Sequence, residues 1–150
     1  QSMQNEKKSI FVSILLVKIL FVCLLAAPFL LPFFIGWYVS LSADLQDVYW
    51  PAMIIAYLCL VPAGIAIICM DHLLLNIRKK MVFVKKNADY LYTISWCAYA
   101  VCLLFLVMGF WRPLAFVVSF AAFFIGVVLR VVKNVFRQAI AIREENEYTI

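Results

Sequence analysis

Four ionisable side chains lie inside or at the ends of long apolar stretches: Lys18, Asp71, His72 and Arg130. Any chemistry within those stretches has to draw on them. Lys18 falls about 10 Å into its apolar run at 1.5 Å per residue. A cation at mid-bilayer costs about 2.5–3.5 kcal/mol on insertion scales, and less where it snorkels. It could therefore meet an anionic substrate, pair with Asp71, or extend to the inner headgroups. Asp71 and His72 make an acid–imidazole couple, yet neighbours on a helix point about 100° apart and do not converge on one proton. His72 is the only histidine, and one imidazole without a second ligand is no zinc or iron site. Asp71 could answer either Lys18 or Arg130, so these four residues form the candidate charge cluster near the membrane interface.

The five cysteines, Cys23, Cys59, Cys69, Cys97 and Cys102, contain no Cys-x-x-Cys pair, which disfavours a thiol oxidoreductase. Cys97 and Cys102 fall on different helix faces, and small apolar packing suits all five. The chain has no phosphate-binding glycine loop, no Ser/His/Asp set, no pair of carboxylates within a span and no haem ligand pair. We expect no enzyme activity, no metal and no cofactor.

The elements that carry these residues follow from hydropathy. Hydrophobic residues make up 67% of the chain and charged ones 14%, against about a quarter charged in a soluble domain. Apolar runs of about 20 residues read as bilayer spans, and four are expected, at residues 9–38, 51–75, 90–110 and 114–132. The fold class is an all-α integral membrane protein, a four-transmembrane-helix bundle forming one domain over residues 3–150. Gln1-Ser2 ahead of Met3 reads as a scar left by expression, and the first apolar run is too long for a cleavable signal. Pro28 and Pro32 predict a kink or an unwound turn in the outer half of the first span. Pro113 is placed to open the fourth helix.

Orientation follows from charge. Between the second and third spans lie Arg78, Lys79, Lys80, Lys85 and Lys86, and loops rich in Lys and Arg stay inside. The expected outer loops hold one cation, Arg112, while Trp37, Tyr38, Tyr49, Trp50 and Trp111 form an outer aromatic belt. Both termini are then cytoplasmic and the protein sits in the cell membrane. The net charge of +5 is a topology signal and a contact for anionic lipid, with no direct binding of nucleic acid expected.

Two further patterns concern packing and partners. Ala115, Ser119, Ala122 and Gly126 recur at four, three and four residues, a small-residue face that lets another helix approach closely. Ser95, Ala98 and Cys102 offer a matching face on the third helix. The two should pack as a tight hairpin, or else form the seam of a homodimer. Beyond the fourth span, residues 133–150 continue as an amphipathic helix, along the membrane surface or as a cytoplasmic stem. Its acidic end, Glu144, Glu145 and Glu147, could fold back on the basic loop or engage a basic partner.

That tail carries a resemblance. Ala139, Ile140, Glu145, Asn146, Glu147, Thr149 and Ile150 follow the Ala-Ile-x-Ile/Leu-Lys-x-Glu-Asn-Asp-Leu-Thr-Val ending of the YoaS-like bacterial family, a domain of unknown function (2975). Arg143, Glu147 and Tyr148 replace the usual Lys, Asp and aliphatic residue. Four spans and a basic middle loop also fit. The resemblance implies a small helix-turn-helix transcriptional regulator as partner, since such genes often lie beside those of the family. The expected function is a non-enzymatic interaction or regulatory protein whose loop and tail bind a partner. The alternative is a small dimeric transporter or lipid-binding protein for an anionic or lipophilic substrate, turning on Lys18.

Overall fold

A computed structural model describes residues 2–148. Gln1 of the expected scar, and Thr149 and Ile150 of the tail pattern, lie outside the described residues. The chain forms four helices: α1 (Ser2–Ser40), α2 (Tyr49–Arg78), α3 (Lys85–Met108) and α4 (Leu114–Tyr148). Each contains a stretch long and apolar enough to cross a bilayer, and on that basis the chain is a multi-pass membrane protein. Helix is the form such segments must take, because lipid offers no partner for backbone N–H and C=O groups.

The connections are short and each has a local cause. Ser42 caps a 3₁₀ turn over Ala43–Val48, its Oγ accepting from the Asp44 N–H at 3.3 Å. After α2, Lys80 adopts φ 63°. Its N–H donates to Ile77 O, and the Met81 N–H donates to Asn76 O. This is a Schellman ending with lysine where glycine is usual. Between α3 and α4, Trp111-Arg112-Pro113 makes the turn, with the Ala115 N–H donating to Arg112 O at 2.9 Å.

α1 corrects one expectation. It begins seven residues before Ser9 and stays helical through both prolines, without the expected unwound turn. Pro32 has no N–H to give the Pro28 carbonyl four residues back. Tyr57 of α2 supplies the missing donor, its hydroxyl bonding Pro28 O at 2.7 Å. α3 likewise starts at Lys85, a turn before Tyr90.

The helices stand in sequence: α1 packs on α2, α2 on α3 and α3 on α4, the last pair most extensively. Among the described residues no close backbone packing joins α1 to α3 or α4, or α2 to α4. By close backbone packing the four helices thus stand as a file of antiparallel neighbours. Lipid explains why this is tolerable: it solvates leftover apolar faces as well as another helix would, so nothing drives closure. Phe29, Phe33, Phe110 and Leu114 are all more than 70% exposed.

Between helices the buried positions are often small or polar. Among the described residues the largest fully buried side chains are Asn87 and Ser95, both polar. At the other end, Val39, Leu45, Val48, Ile55, Met108 and Ala115 form an apolar cluster beneath the 3₁₀ turn. Arg112 is tied to it, its Nε donating to the Tyr38 hydroxyl at 3.1 Å.

Candidate functional site

The four candidate charges are distributed over three helix interfaces. Lys18 on α1 reaches Asp71 on α2 at 3.2 Å. The lysine is well exposed and the aspartate about three-quarters covered. The contact is an ion pair by distance, but it is not aligned as a hydrogen bond, and Asp71 Oδ1 is sealed without a hydrogen-bond partner. His72 is exposed, and its ring stands 5.7 Å from that of Tyr90 on α3. Arg130 is on α4, which has no close backbone packing with α2, and its Nε bonds Ser95 while Asp71 pairs with Lys18. The cluster divides because close backbone packing joins only helices adjacent in sequence. Among the described residues no group of His, Cys, Asp and Glu has a metal-binding arrangement.

The α3–α4 interface is built from both small-residue faces. Ala115, Ser119, Ala122 and Gly126 are all buried, as is Ser95, while Ala98 and Cys102 are half-buried. Ser119 Oγ donates to Cys102 O at 2.7 Å and lies 3.3 Å from Cys102 Sγ. At Gly126 a Cβ would stand 2.5 Å from the Tyr99 ring, so only glycine admits the tyrosine there.

Arg130 anchors the end of this interface nearer the α2–α3 loop. Its Nε donates to Ser95 Oγ at 2.9 Å, and Ser95 in turn donates to Tyr92 O at 2.6 Å. Three rings surround the guanidinium: Tyr92 at 4.6 Å, Trp96 at 4.7 Å and Tyr99 at 5.3 Å. The cation is thus held by aromatic faces and a hydroxyl, which is how a guanidinium can lie inside an apolar run without a carboxylate. Next along α4 come Lys133, 4.9 Å over Tyr92, and Arg137, 3.9 Å from Asp89.

Sequence reasoning missed Asn87, which organises the basic loop. Its Nδ2 donates to Met81 O at 2.9 Å and Val82 O at 2.7 Å, while its Oδ1 accepts from Asn76 Nδ2 at 2.9 Å. It is fully buried. The only signal was an uncharged amide at the end of a run of cations, which a turn residue would also give. Arg78, Lys79, Lys80, Lys85 and Lys86 around it are exposed. On α4, Phe136 packs edge-on against Phe83 of that loop at 5.3 Å. Beyond it, Phe83, Ala139, Ile142, Arg143, Asn146 and Glu147 line a shallow, mostly apolar groove. Glu144, Glu145 and Glu147 are exposed at the end of the helix, with Glu147 Oε1 3.8 Å from Arg143 Nε.

The model of the family described as "Protein of unknown function (DUF2975)" matches residues 39–150. That is everything from the end of α1 onward and well over half of the chain, so the chain belongs to this family. No curated protein and no solved structure matches it.

Proposed function

We propose that this DUF2975 family member is a non-enzymatic membrane protein whose α2–α3 loop and α4 extension together dock a soluble partner. The observation that carries the reading is the run of α4 as one helix to Tyr148. The sixteen residues from Lys133 onward extend about 24 Å at 1.5 Å per residue, well past what a 30 Å bilayer needs. Phe83 seats the loop against this extension, and the groove beside it combines an apolar floor with charged rims.

The positive charge of the α2–α3 loop supports an orientation with that end of the molecule, and both termini, on the cytoplasmic side of the cell membrane. The YoaS-like resemblance points to a small helix-turn-helix regulator as the partner. The exposed acids at the tip of α4 suit a basic protein of that kind. Lys18, on which anion transport would turn, is engaged by Asp71, so transport is the weaker reading.

The test is a mild-detergent pull-down from native membranes with native mass spectrometry of the eluate. A stoichiometric soluble protein is expected with the unaltered chain. It should be lost from Glu144→Lys/Glu145→Lys/Glu147→Lys, whose helix content is unchanged. Undiminished recovery with that variant would sink the role of the tail.

A further inference from the structure

At the level where α4 leaves its apolar run, the α3–α4 interface holds more positive charge than it can neutralise. Arg130, Lys133 and Arg137 follow one another at intervals of three and four residues, so they share one face of α4. All three stand over the same ring: Tyr92 is 4.6 Å from the Arg130 guanidinium, 4.9 Å from the Lys133 ammonium and 5.9 Å from the Arg137 guanidinium. The acid that answers them is Asp89, 3.9 Å from Arg137, with both side chains more than half exposed. Such a pair is weak. Three cations against one such carboxylate leave a surplus at this level.

Lys133 sharpens the point. It is only 7% exposed and is the one charged residue buried to that degree among the described residues. It makes neither an ion pair nor a hydrogen bond there, although its nitrogen is not sealed from solvent. The Tyr92 face attracts its charge but accepts none of its N–H donors in a hydrogen bond, so the ammonium is left to bond an anion on its open side. Arg130 is also only partly used. Its Nε is committed to Ser95, which fixes the guanidinium plane and leaves both Nη groups to donate, the fork geometry suited to a phosphate.

The surroundings indicate where that phosphate comes from. Trp96, 54% exposed beside Arg130, sits as an interfacial tryptophan does. Phe123, Val127 and Val131 run up α4 at four-residue steps as an exposed apolar row, a track for an acyl chain. We propose that Arg130, Lys133 and Arg137 bind the phosphate of an anionic phospholipid, in the leaflet on the α2–α3 loop side. The Tyr92 and Trp96 rings form the floor of the site. It is distinct from the exposed lysines of the loop, and it does not depend on the docking role assigned above.

The experiment is thermal unfolding of the delipidated full chain in maltoside micelles. Phosphatidylglycerol is titrated in, with phosphatidylcholine and inorganic phosphate in parallel. Phosphatidylglycerol should raise the midpoint saturably, as a ligand of the folded state does; the other two should not. Lys133→Met and Arg137→Gln should each weaken the phosphatidylglycerol response about tenfold, the effect of one charge-assisted hydrogen bond. Lys79→Gln/Lys80→Gln/Lys85→Gln/Lys86→Gln, which removes more charge elsewhere, should change it less than about threefold. Arg137 is half exposed, so its variant reads the site even where Lys133→Met fails to fold. Equal shifts from phosphatidylcholine, or a response lost in the loop variant and kept in the other two, overturn the site. The same shift from inorganic phosphate alone overturns the assignment to lipid.

Discussion

The hydroxyl of Tyr57 is required because Pro32 is a proline. In an unbroken helix the N–H of residue 32 would satisfy the carbonyl of residue 28. Pro32 has none, and the Tyr57 hydroxyl bonds Pro28 O at 2.7 Å from the neighbouring helix. In hydrocarbon an unpaired carbonyl costs several kcal/mol in principle. Measured interhelical bonds in membranes average about 0.6 and reach about 1.7 kcal/mol, because the dissociated state finds other partners. Tyr57→Phe should therefore destabilise the α1–α2 contact by about 1–2 kcal/mol. In a Pro32→Ala background, the new N–H takes over the carbonyl, and Tyr57→Phe should cost under about 0.5 kcal/mol, leaving the second lone pair idle. The double-mutant cycle, read by steric trapping in bicelles, should thus give a coupling of about 1 kcal/mol. Equal costs of Tyr57→Phe in the two backgrounds would refute the argument, since the hydroxyl would then be contributing something other than a substitute donor.

Three further expectations concern the loop and the α3–α4 seam. Asn87→Ala removes three side-chain bonds, two of them to loop carbonyls, and should cost about 2–4 kcal/mol. The loss should also open the loop to chymotrypsin at Phe83, whereas the exposed Asn134→Ala should do neither. Gly126→Ala drives a methyl to 2.5 Å from the Tyr99 ring and should lower stability by about 1–3 kcal/mol. Tyr99→Leu in the same chain should relieve part of that loss, and a Gly126→Ala protein as stable as the original would show that the ring yields freely. Lys80→Gly removes a side chain from φ 63° and should raise the unfolding midpoint, by an amount corresponding to about 1 kcal/mol.

What the sequence determined by itself was the set of elements. Each apolar run had to become a helix, because lipid acts on every residue separately and leaves the backbone no other partner. The cations between the second and third runs marked a turn for the same local reason. The spacing of Ala115, Ser119, Ala122 and Gly126 defined a face from helix geometry alone. Whether the helix would break after Val132 was not legible in the spacing, and α4 runs on without a break.

The partners were a matter for tertiary structure. Lys18 and Arg130 were equal candidates for Asp71 in the chain, and the order of packing chose Lys18. Tyr57 carried no mark of its bond to Pro28 O, which exists only because one helix turns its tyrosine toward the orphan carbonyl of the next. Asn87 looked like a loop residue and proved to be the most sealed side chain of its turn. In a lipid solvent, apolar content does not determine which helix faces meet. Close approach and a few polar contacts do, and these depend on helix rotation and neighbour order, which the spacing of residues along one helix does not encode.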